Sequence, residues 1–331
     1  MTPVRNLLVS ASVAVLALVG GVGQGLAQPS YGYTTLSVPG SIFTEAFGLS
    51  DAGQIVGEYL AGGGSHAFLL RSGVYSTLDQ PGWSNPYASG INNLGQIVGA
   101  YNTAGVQHGF LLSGGTLTTV DPPGSSSAQA NGINALSQIV GVVQGDPNGP
   151  YHGFLLSGGQ YTTFDPPGAI NTTIAHGINA SGQIVGVYFD TVGNEHAFLR
   201  SGQDYTTLDP PGSIEAKAEG INDAGQIVGV YFDAAGRQHG FLFQDGSYTT
   251  LDAPGAAGTY AYAINNSGQI VGAYDQGHGL SGFLATPTPE PSGLVLLIVG
   301  TLTGISWALR HQRQIGPTVR EERPSSALHP R

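Results

Sequence analysis

The sequence repeats one pattern six times, and this repetition constrains the fold more than any other feature. Each unit contains a segment such as GINNLGQIVG and then His-Ala-Phe, His-Gly-Phe or Ser-Gly-Phe, and most units end in a run such as TTLDPPG. One glutamine per unit marks a spacing of 42 to 45 residues: Gln54, Gln96, Gln138, Gln183, Gln226 and Gln269. Such a period is typical of repeat proteins in which each unit buries its apolar face against its neighbours.

Each unit predicts about four short antiparallel strands. The runs QIVGVYF and HGFLF of the fifth unit are apolar on both faces, as expected for strands buried between stacked sheets. Asn-x-x-Gly and Asp-Pro-Pro-Gly steps supply the tight turns between strands. No stretch of the repeats has the pattern of a long amphipathic helix. We therefore predict an all-β fold in which one unit forms one four-stranded propeller blade.

The chain places the end of a repeat before the first repeat. Residues 33–40, YTTLSVPG, resemble the last strand of a unit, whereas the sixth unit passes from Phe283 almost directly into a Pro-rich segment and lacks that strand. The N-terminal strand would complete the sixth blade and leave no free sheet edge. We predict a six-bladed β-propeller at residues 31–285, closed by the N-terminal strand. A linear β-solenoid, which needs no closure, is the alternative.

An apolar segment precedes the propeller. Residues 1–27 contain Arg5, an apolar run over residues 7–19, and the small residues Gly25 and Ala27. This order predicts a secretory signal peptide that is cleaved after Ala27, because the run is too short for a membrane span.

A second apolar segment follows the propeller. We divide this end into a Pro-rich linker at 286–292, a transmembrane helix at 293–309, and a basic and then disordered tail at 310–331. The apolar run is near the lower length limit for spanning a bilayer, and basic residues follow it directly, as on a cytoplasmic flank.

The C-terminal end resembles the PEP-CTERM sorting signal of Gram-negative bacteria. The resemblance rests on Pro289, Glu290 and Pro291, the apolar run, and the basic residues Arg310 and Arg313. It implies that an exosortase-type membrane protease recognises and processes an exported protein. The tail beyond Arg313 is longer than such signals usually have, so a simple single-span anchor is the alternative. Both interpretations predict that the propeller lies outside the cytoplasm, at the cell surface or in the extracellular space.

Most of residues 40–285 is similar to the HAF-type extracellular repeat proteins of bacteria. The resemblance rests on the repeated segments of the form GINxxGQIVG followed by HAF. It implies secretion and says little about activity.

The charge of the propeller region limits its partners. Between residues 30 and 290 the chain has four basic and 19 acidic residues. A surface this acidic will not hold nucleic acid through its phosphates. The chain also has no cysteine, which excludes disulfides and thiolate metal sites.

The repeated histidines and aspartates predict a structural role rather than a metal site. They recur at one blade position each: His66, His108, His152, His196 and His239, and Asp79, Asp121, Asp165, Asp209 and Asp252. Residues spaced evenly around a ring cannot converge on one metal ion. We predict no cofactor, with a shallow Ca²⁺ or sugar site at each blade as the alternative.

Candidate functional residues are those that vary between units. If the N-terminal strand is outermost, the strand before each GIN segment is innermost and borders the central channel. An alanine in that strand is uniform, and its two neighbours vary. We select the candidate ligand channel from these neighbours: Glu45, Tyr87, Asn131, His176, Lys217, Glu219, Tyr260 and Tyr262. Variation caused only by contact with water is the competing explanation.

No recognisable catalytic motif accompanies these residues, so the sequence predicts a non-catalytic protein. We expect an exported, surface-associated propeller that binds or scaffolds extracellular polysaccharide or matrix. The alternatives are a hydrolase or lyase with a site at the channel, and a multivalent lectin with one weak site per blade.

Overall fold

A computed structural model describes residues 30–277 and 279–288. These residues form 24 β-strands arranged as six four-stranded antiparallel sheets. Consecutive sheets pack face to face, and the sixth sheet contacts the first, so the sheets close into a ring. The structure is a six-bladed β-propeller, which confirms the predicted fold class and blade number.

The first three blades follow one another along the chain. The chain starts with β1 (Tyr31–Leu36), which does not belong to them. Blade 1 contains β2 (Phe43–Leu49), β3 (Ile55–Ala61), β4 (Gly64–Arg71) and β5 (Val74–Thr77). Blade 2 contains β6 (Ser84–Ile91), β7 (Ile97–Thr103), β8 (Val106–Ser113) and β9 (Thr116–Thr119). Blade 3 contains β10 (Ser127–Ile133), β11 (Ile139–Gln144), β12 (Tyr151–Ser157) and β13 (Gln160–Phe164).

The last three blades have the same order, with one exception. Blade 4 contains β14 (Thr173–Ile178), β15 (Ile184–Phe189), β16 (Glu195–Ser201) and β17 (Asp204–Thr207). Blade 5 contains β18 (Ser213–Ile221), β19 (Ile227–Asp233), β20 (Gln238–Gln244) and β21 (Ser247–Leu251). Blade 6 contains β22 (Gly258–Ile264), β23 (Ile270–Asp275) and β24 (Leu280–Pro287), and β1 is its fourth strand.

The N-terminal strand closes the ring as predicted. β1 pairs antiparallel with β24, from Tyr31 opposite Pro287 to Leu36 opposite Gly282. Leu36 then packs with Phe68 of blade 1 and Val271 of blade 6 in one buried cluster. The closure therefore buries apolar surface at the seam as well as pairing a sheet edge.

The hydrophobic core lies mainly between adjacent blades. In each described cluster, residues of one blade pack against the inner and middle strands of the next. The phenylalanine of each His-Ala-Phe or equivalent segment is at most 1% exposed: Phe68, Phe110, Phe154, Phe198, Phe241 and Phe283. Truncation of a buried phenylalanine usually costs about 3–5 kcal/mol, which explains why the repeat keeps this residue type.

The glycine after Gln-Ile-Val is required by a close approach. At Gly57, a Cβ atom would lie 1.9 Å from the Glu45 carbonyl oxygen and 2.9 Å from the Phe68 ring. The equivalent positions in the other blades place a Cβ within 1.8–2.1 Å of the corresponding carbonyl. Only glycine fits between the inner strand and the phenylalanine ring.

The asparagine of the GIN segment joins neighbouring blades. In Asn134, the side-chain oxygen accepts the amide N–H groups of Leu136 and Gln138 at 3.0 Å. Its amide nitrogen donates to Gln138 Oε1 at 2.7 Å and to the Asn179 carbonyl of the next blade at 2.9 Å. The blade-to-blade bond recurs with Asn92, Asn179, Asn222 and Asn265 as donors. We call these five residues the asparagine belt; blade 1 has Ser50 at this position.

The predicted terminal segments lie outside the described residues. These are the signal peptide at 1–27, the transmembrane helix at 293–309, the tail at 310–331, and the sorting residues from Pro289 onward. Within the part of the chain that the structure describes, no helix is both long and apolar enough to cross a membrane.

Candidate functional site

A β-bulge in the inner strand of each blade presents one side chain to the central channel. In blade 1 the pairing of β2 with β3 shifts between Ala46 and Gly48, which leaves Phe47 without a partner. The same shift occurs at the same repeat position in the other inner strands. We call the six bulged residues the channel ring: Phe47, Ser89, Asn131, His176, Glu219 and Tyr262. Bulges are known to redirect side chains beside functional sites.

The channel ring opens into a cavity at the end of the channel where the inner strands begin. This cavity encloses about 210 Å³. The ring and three residues two positions earlier in their strands line it: Phe47, Tyr87, Ser89, Gln129, Asn131, Ile174, His176, Glu219 and Tyr262. The lining combines apolar and aromatic walls with a few polar groups, which is the composition of small-molecule sites.

Three aromatic rings form one side of the cavity. The Phe47 ring meets the Tyr262 ring edge-on at 5.1 Å and the Tyr87 ring at 6.3 Å. Nearby, the Ser89 hydroxyl is buried and has no hydrogen-bond partner among the described residues. A buried hydroxyl without a partner costs free energy, so the site has a polar group that a bound ligand could satisfy.

His176 and Glu219 form an imidazole–carboxylate pair beside the aromatic wall. His176 Nδ1 lies 2.6 Å from Glu219 Oε2, although the angle is too poor for a hydrogen bond. The side chains are 18% and 16% exposed, so they reach the cavity and are shielded from bulk water. An imidazole beside a carboxylate is a common arrangement for moving protons.

Two further carboxylates lie behind the wall. Glu45 and Glu58 face each other across β2 and β3. Burial and the neighbouring Glu58 carboxylate raise the pKa of Glu45 to about 7, and a hydrogen bond from Tyr262 opposes part of that rise. Burial, followed by the nearby Glu45 and Glu219 carboxylates, raises the pKa of Tyr262 well above 10. Tyr262 therefore stays neutral and can donate a hydrogen bond at ordinary pH.

The structure brings together five of the eight residues selected from the sequence. Tyr87, Asn131, His176, Glu219 and Tyr262 line the cavity. The other three lie next to it rather than in its wall.

These three residues have partners of their own. Glu45 faces Glu58, and Tyr260 stacks on Tyr262 with ring centres 5.8 Å apart. Lys217 binds Glu195 of blade 4 at 2.9 Å. The Lys217–Glu195 contact could not be read from one unit of the repeat, because it joins two blades.

Four lining residues were not among the selected candidates: Phe47, Ser89, Gln129 and Ile174. Each occupies one of the two variable positions in its own blade. The signal that could have found them is the repeat position itself, since Phe47 and Ser89 are bulged residues and Gln129 and Ile174 lie two positions before one.

The repeated histidines and aspartates pair within their own blades. His66 Nδ1 lies 2.6 Å from Asp79 Oδ2, and the other four blades with this pair show distances of 2.6–3.0 Å. In blade 1 the other oxygen of Asp79 accepts the Ala67 N–H at 3.0 Å. Blade 6 has Ser281 and Ser37 at the two positions, so both members of the pair are replaced together.

The donor groups of the described residues do not form a metal site. Over residues 30–277 and 279–288, no group of three or more His, Asp and Glu side chains is placed to hold a metal ion. The absence of a cofactor stays a prediction from the sequence.

The fold and the channel site define the class of protein: a six-bladed β-propeller with a ligand-sized cavity on its axis. Comparison with protein-family models and with curated proteins finds no match. Solved structures do match. A putative TolB from Agrobacterium tumefaciens is 12% identical, with 74% of this chain and 91% of that chain covered and a TM-score of 0.51.

Two enzymes are among the other matching structures. A virginiamycin B lyase from Staphylococcus aureus is 9% identical, with 78% of this chain and 100% of the lyase covered and a TM-score of 0.46. A gluconolactonase from Xanthomonas campestris is 11% identical, with 75% of this chain and 89% of the gluconolactonase covered and a TM-score of 0.49. At these identities the likeness shows the fold alone.

These matches correct the prediction of a non-catalytic protein. The solved structures that resemble the chain include a lyase and a gluconolactonase, so the non-catalytic interpretation is not retained. The prediction depended on the lack of a linear catalytic motif. In this channel His176 and Glu219 come from neighbouring blades, 43 residues apart in sequence, so a linear motif is not to be expected.

Proposed function

We propose that the protein is an exported hydrolase or lyase that acts on a neutral, hydroxyl-rich substrate at the channel cavity. The observation that carries this proposal is the His176–Glu219 pair, which lies in the wall of a 210 Å³ cavity beside aromatic rings. Fold likeness cannot assign the chemistry, which these side chains would supply.

The roles of the side chains follow from their chemistry. His176 takes a proton from water or from the substrate, and Glu219 balances the charge that forms on the imidazole. Tyr262 is kept neutral by its raised pKa and donates its O–H to Glu45, so its oxygen accepts a hydrogen bond from a substrate hydroxyl. Removal of a positioned general base usually lowers the rate by about 10²–10⁴-fold.

The lining favours a neutral substrate. It contains one carboxylate, Glu219, and no lysine or arginine, so an anionic group would meet repulsion without a compensating cation. Aromatic faces together with amide and hydroxyl groups suit a sugar or lactone ring. Extracellular polysaccharide is the substrate class that we propose for the exported protein.

The position of the two chain ends supports one orientation of the propeller relative to the proposed surface anchor. Thr288 N donates to the Ser30 carbonyl at 2.8 Å, so both ends of the described chain leave from one place. Tyr31 and Pro287 lie at the end of blade 6 that carries the turn between β22 and β23. The channel cavity opens at the opposite end of the inner strands. An anchor after Thr288, processed by an exosortase-type protease or retained, would leave the cavity facing away from the membrane.

The first test is turnover of lactones and extracellular polysaccharides by the purified protein. We expect His176→Ala and Glu219→Gln to lower kcat by at least about 100-fold. Glu215→Gln is the matched control, because Glu215 is exposed on the same strand as Glu219 and outside the cavity. Turnover that survives both cavity substitutions would exclude the proposed chemistry, and binding without turnover would leave a binding site only.

A further inference from the structure

The junction between blade 3 and blade 4 contains a second cavity outside the central channel. It encloses about 230 Å³ and is lined by residues 150–152, Asp165 and residues 169–173. The spacing between Gln138 and Gln183, 45 residues, is the longest in the repeat and spans this junction. We propose that this cavity binds one neutral sugar ring.

The cavity wall is held by contacts between the two blades. Tyr151 N donates to the Asn171 carbonyl at 2.8 Å, and Tyr151 forms an isolated parallel bridge with Thr172. On the other side, Phe189 N donates to the Thr172 carbonyl at 3.1 Å. Because the segment is bonded to strands of both blades, the cavity is preformed, and binding does not have to order a loop.

The cavity has an aromatic residue at its rim, at a position where the other blades have none. Tyr151 is 38% exposed and Ile170 is 37% exposed at its rim. Tyr151 directly precedes His152. In the other five units the residue before the histidine, or before Ser281 in blade 6, is Ser65, Gln107, Glu195, Gln238 or Leu280. A partly exposed aromatic ring in a concave site suits the apolar face of a sugar.

The His152–Asp165 pair is more available than the pairs of blades 1, 2 and 4; in blade 5, Asp252 is 50% exposed and pairs through both oxygens with His239. Asp79, Asp121 and Asp209 use their second oxygen to accept a backbone N–H. Among the described residues Asp165 makes no such bond, and its side chain is 39% exposed, compared with 26–29% in those three blades. Its free oxygen can accept a sugar hydroxyl.

A buried hydroxyl in the cavity lacks the partner that it has elsewhere. Thr44 Oγ1 accepts the Val38 N–H at 3.1 Å, and Thr259 Oγ1 accepts the Ala253 N–H at 2.9 Å. At the equivalent site of Thr173 the partner position is Pro166, which has no N–H. Thr173 Oγ1 is fully buried and has no partner among the described residues, so a ligand hydroxyl would relieve an unmet hydrogen bond.

The chemistry of the lining selects the ligand class. A carboxylate, an imidazole, a hydroxyl and a tyrosine ring surround a volume the size of one sugar ring. No lysine or arginine lines it, which disfavours phosphates and uronic acids. One site of this kind predicts one bound sugar per propeller, in contrast to a lectin with a site in every blade.

The test is saturation-transfer NMR and titration of the full chain with the methyl glycosides of glucose, galactose, mannose and N-acetylglucosamine. We expect weak binding of at least one glycoside at one site outside the channel, so this binding persists in His176→Ala. Tyr151→Ser and Asp165→Asn should each lower the affinity by about tenfold or more, whereas Tyr151→Phe should retain it. His108→Ala is the matched control, because blade 2 has the same pair without this cavity.

Each outcome decides for or against the proposal. Loss of binding in Tyr151→Ser with normal binding in His108→Ala supports it. No saturation transfer from any of the glycosides to the wild-type chain would overturn it, as would equal affinity of Tyr151→Ser and wild type. If His176→Ala abolishes binding and Tyr151→Ser does not, the sugar binds in the channel and the second site is wrong.

Discussion

At the scale of single residues, the asparagine belt shows how one side chain serves two blades. Asn134 is 4% exposed and makes four hydrogen bonds. Its side-chain oxygen accepts two backbone N–H groups of its own turn. Its amide nitrogen donates to Gln138 Oε1 and to a backbone carbonyl of the next blade. An alanine there would leave buried amides and carbonyls unpaired, and each such loss costs about 1–3 kcal/mol.

We therefore expect Asn134→Ala to lower the free energy of unfolding by about 2–4 kcal/mol, measured by urea denaturation. Leu136→Ala in the same turn is the control, because Leu136 is 67% exposed and its truncation should change stability by less than about 0.5 kcal/mol. Equal midpoints for the two variants would show that the belt contributes nothing to stability.

Single residues also show which part of the candidate site the sequence can predict. The repeat keeps phenylalanine, glycine and asparagine where each blade needs the same contact, and it varies where the side chain meets the channel. His176 and Glu219 could therefore be selected as variable positions. Their 2.6 Å approach could not be predicted, because they come from blades 4 and 5 and only the ring geometry brings them together.

At the scale of the secondary-structure elements, closure depends on β1. This strand supplies six register pairs with β24 and the buried side chains of Leu36 and, just beyond it, Val38. Without it, blade 6 would have an unpaired edge and the seam with blade 1 would lose part of its core.

Deletion of residues 31–41 should lower the melting temperature by more than about 10 °C, since two buried aliphatic side chains and a strand are lost. A synthetic peptide of residues 30–41 should restore much of this loss by adding the strand back. A scrambled peptide of the same composition is the control. An unchanged melting temperature in the deletion variant would contradict closure by β1.

The inner strands show a second effect at this scale. Simple strand alternation puts Glu45 and Phe47 on one face. The bulge between Ala46 and Gly48 leaves Phe47 without a backbone partner at the cavity, whereas Glu45 keeps its pairing with Glu58. A bulge depends on the pairing of two strands, and the inner strand alone does not show it.

At the scale of the whole molecule, the titrating groups predict how stability depends on pH. Glu45 has a pKa of about 7 in the folded protein, compared with an ordinary value of 4.5. Between these values the folded state holds a proton that the unfolded state releases, so stability falls as the pH rises from about 4.5 to about 7.

Burial also raises the pKa of Glu58, which acts in the same direction as Glu45, and the pKa values of His66 and Asp233 are shifted in opposite directions. The pKa of His66 is raised, chiefly by its hydrogen bond with Asp79, so its contribution is present at low pH and is lost as the pH rises through the folded pKa. Asp233 has a pKa lowered to about 2, first by the Arg237 backbone N–H, so its contribution is lost only in strong acid.

We expect the propeller to be more stable at pH 5.5 than at pH 8, by about 1–2 kcal/mol from Glu45. The measurement is the melting temperature across this range by calorimetry. Glu45→Gln should reduce the difference, whereas Glu215→Gln, an exposed carboxylate outside the channel, should leave it. Higher stability at pH 8 than at pH 5.5 would contradict the raised pKa of Glu45.

The sequence by itself determined the number of blades, the strands within each blade and the closure by the N-terminal strand. These features depend on contacts that recur at the same position of every unit, and recurring contacts leave a period in the sequence. The tertiary structure alone decided which variable residues meet. The approach of His176 to Glu219 and the unpartnered Thr173 hydroxyl each occur at one place in the ring. Contacts that occur once leave no period, so they appear only when the ring is closed.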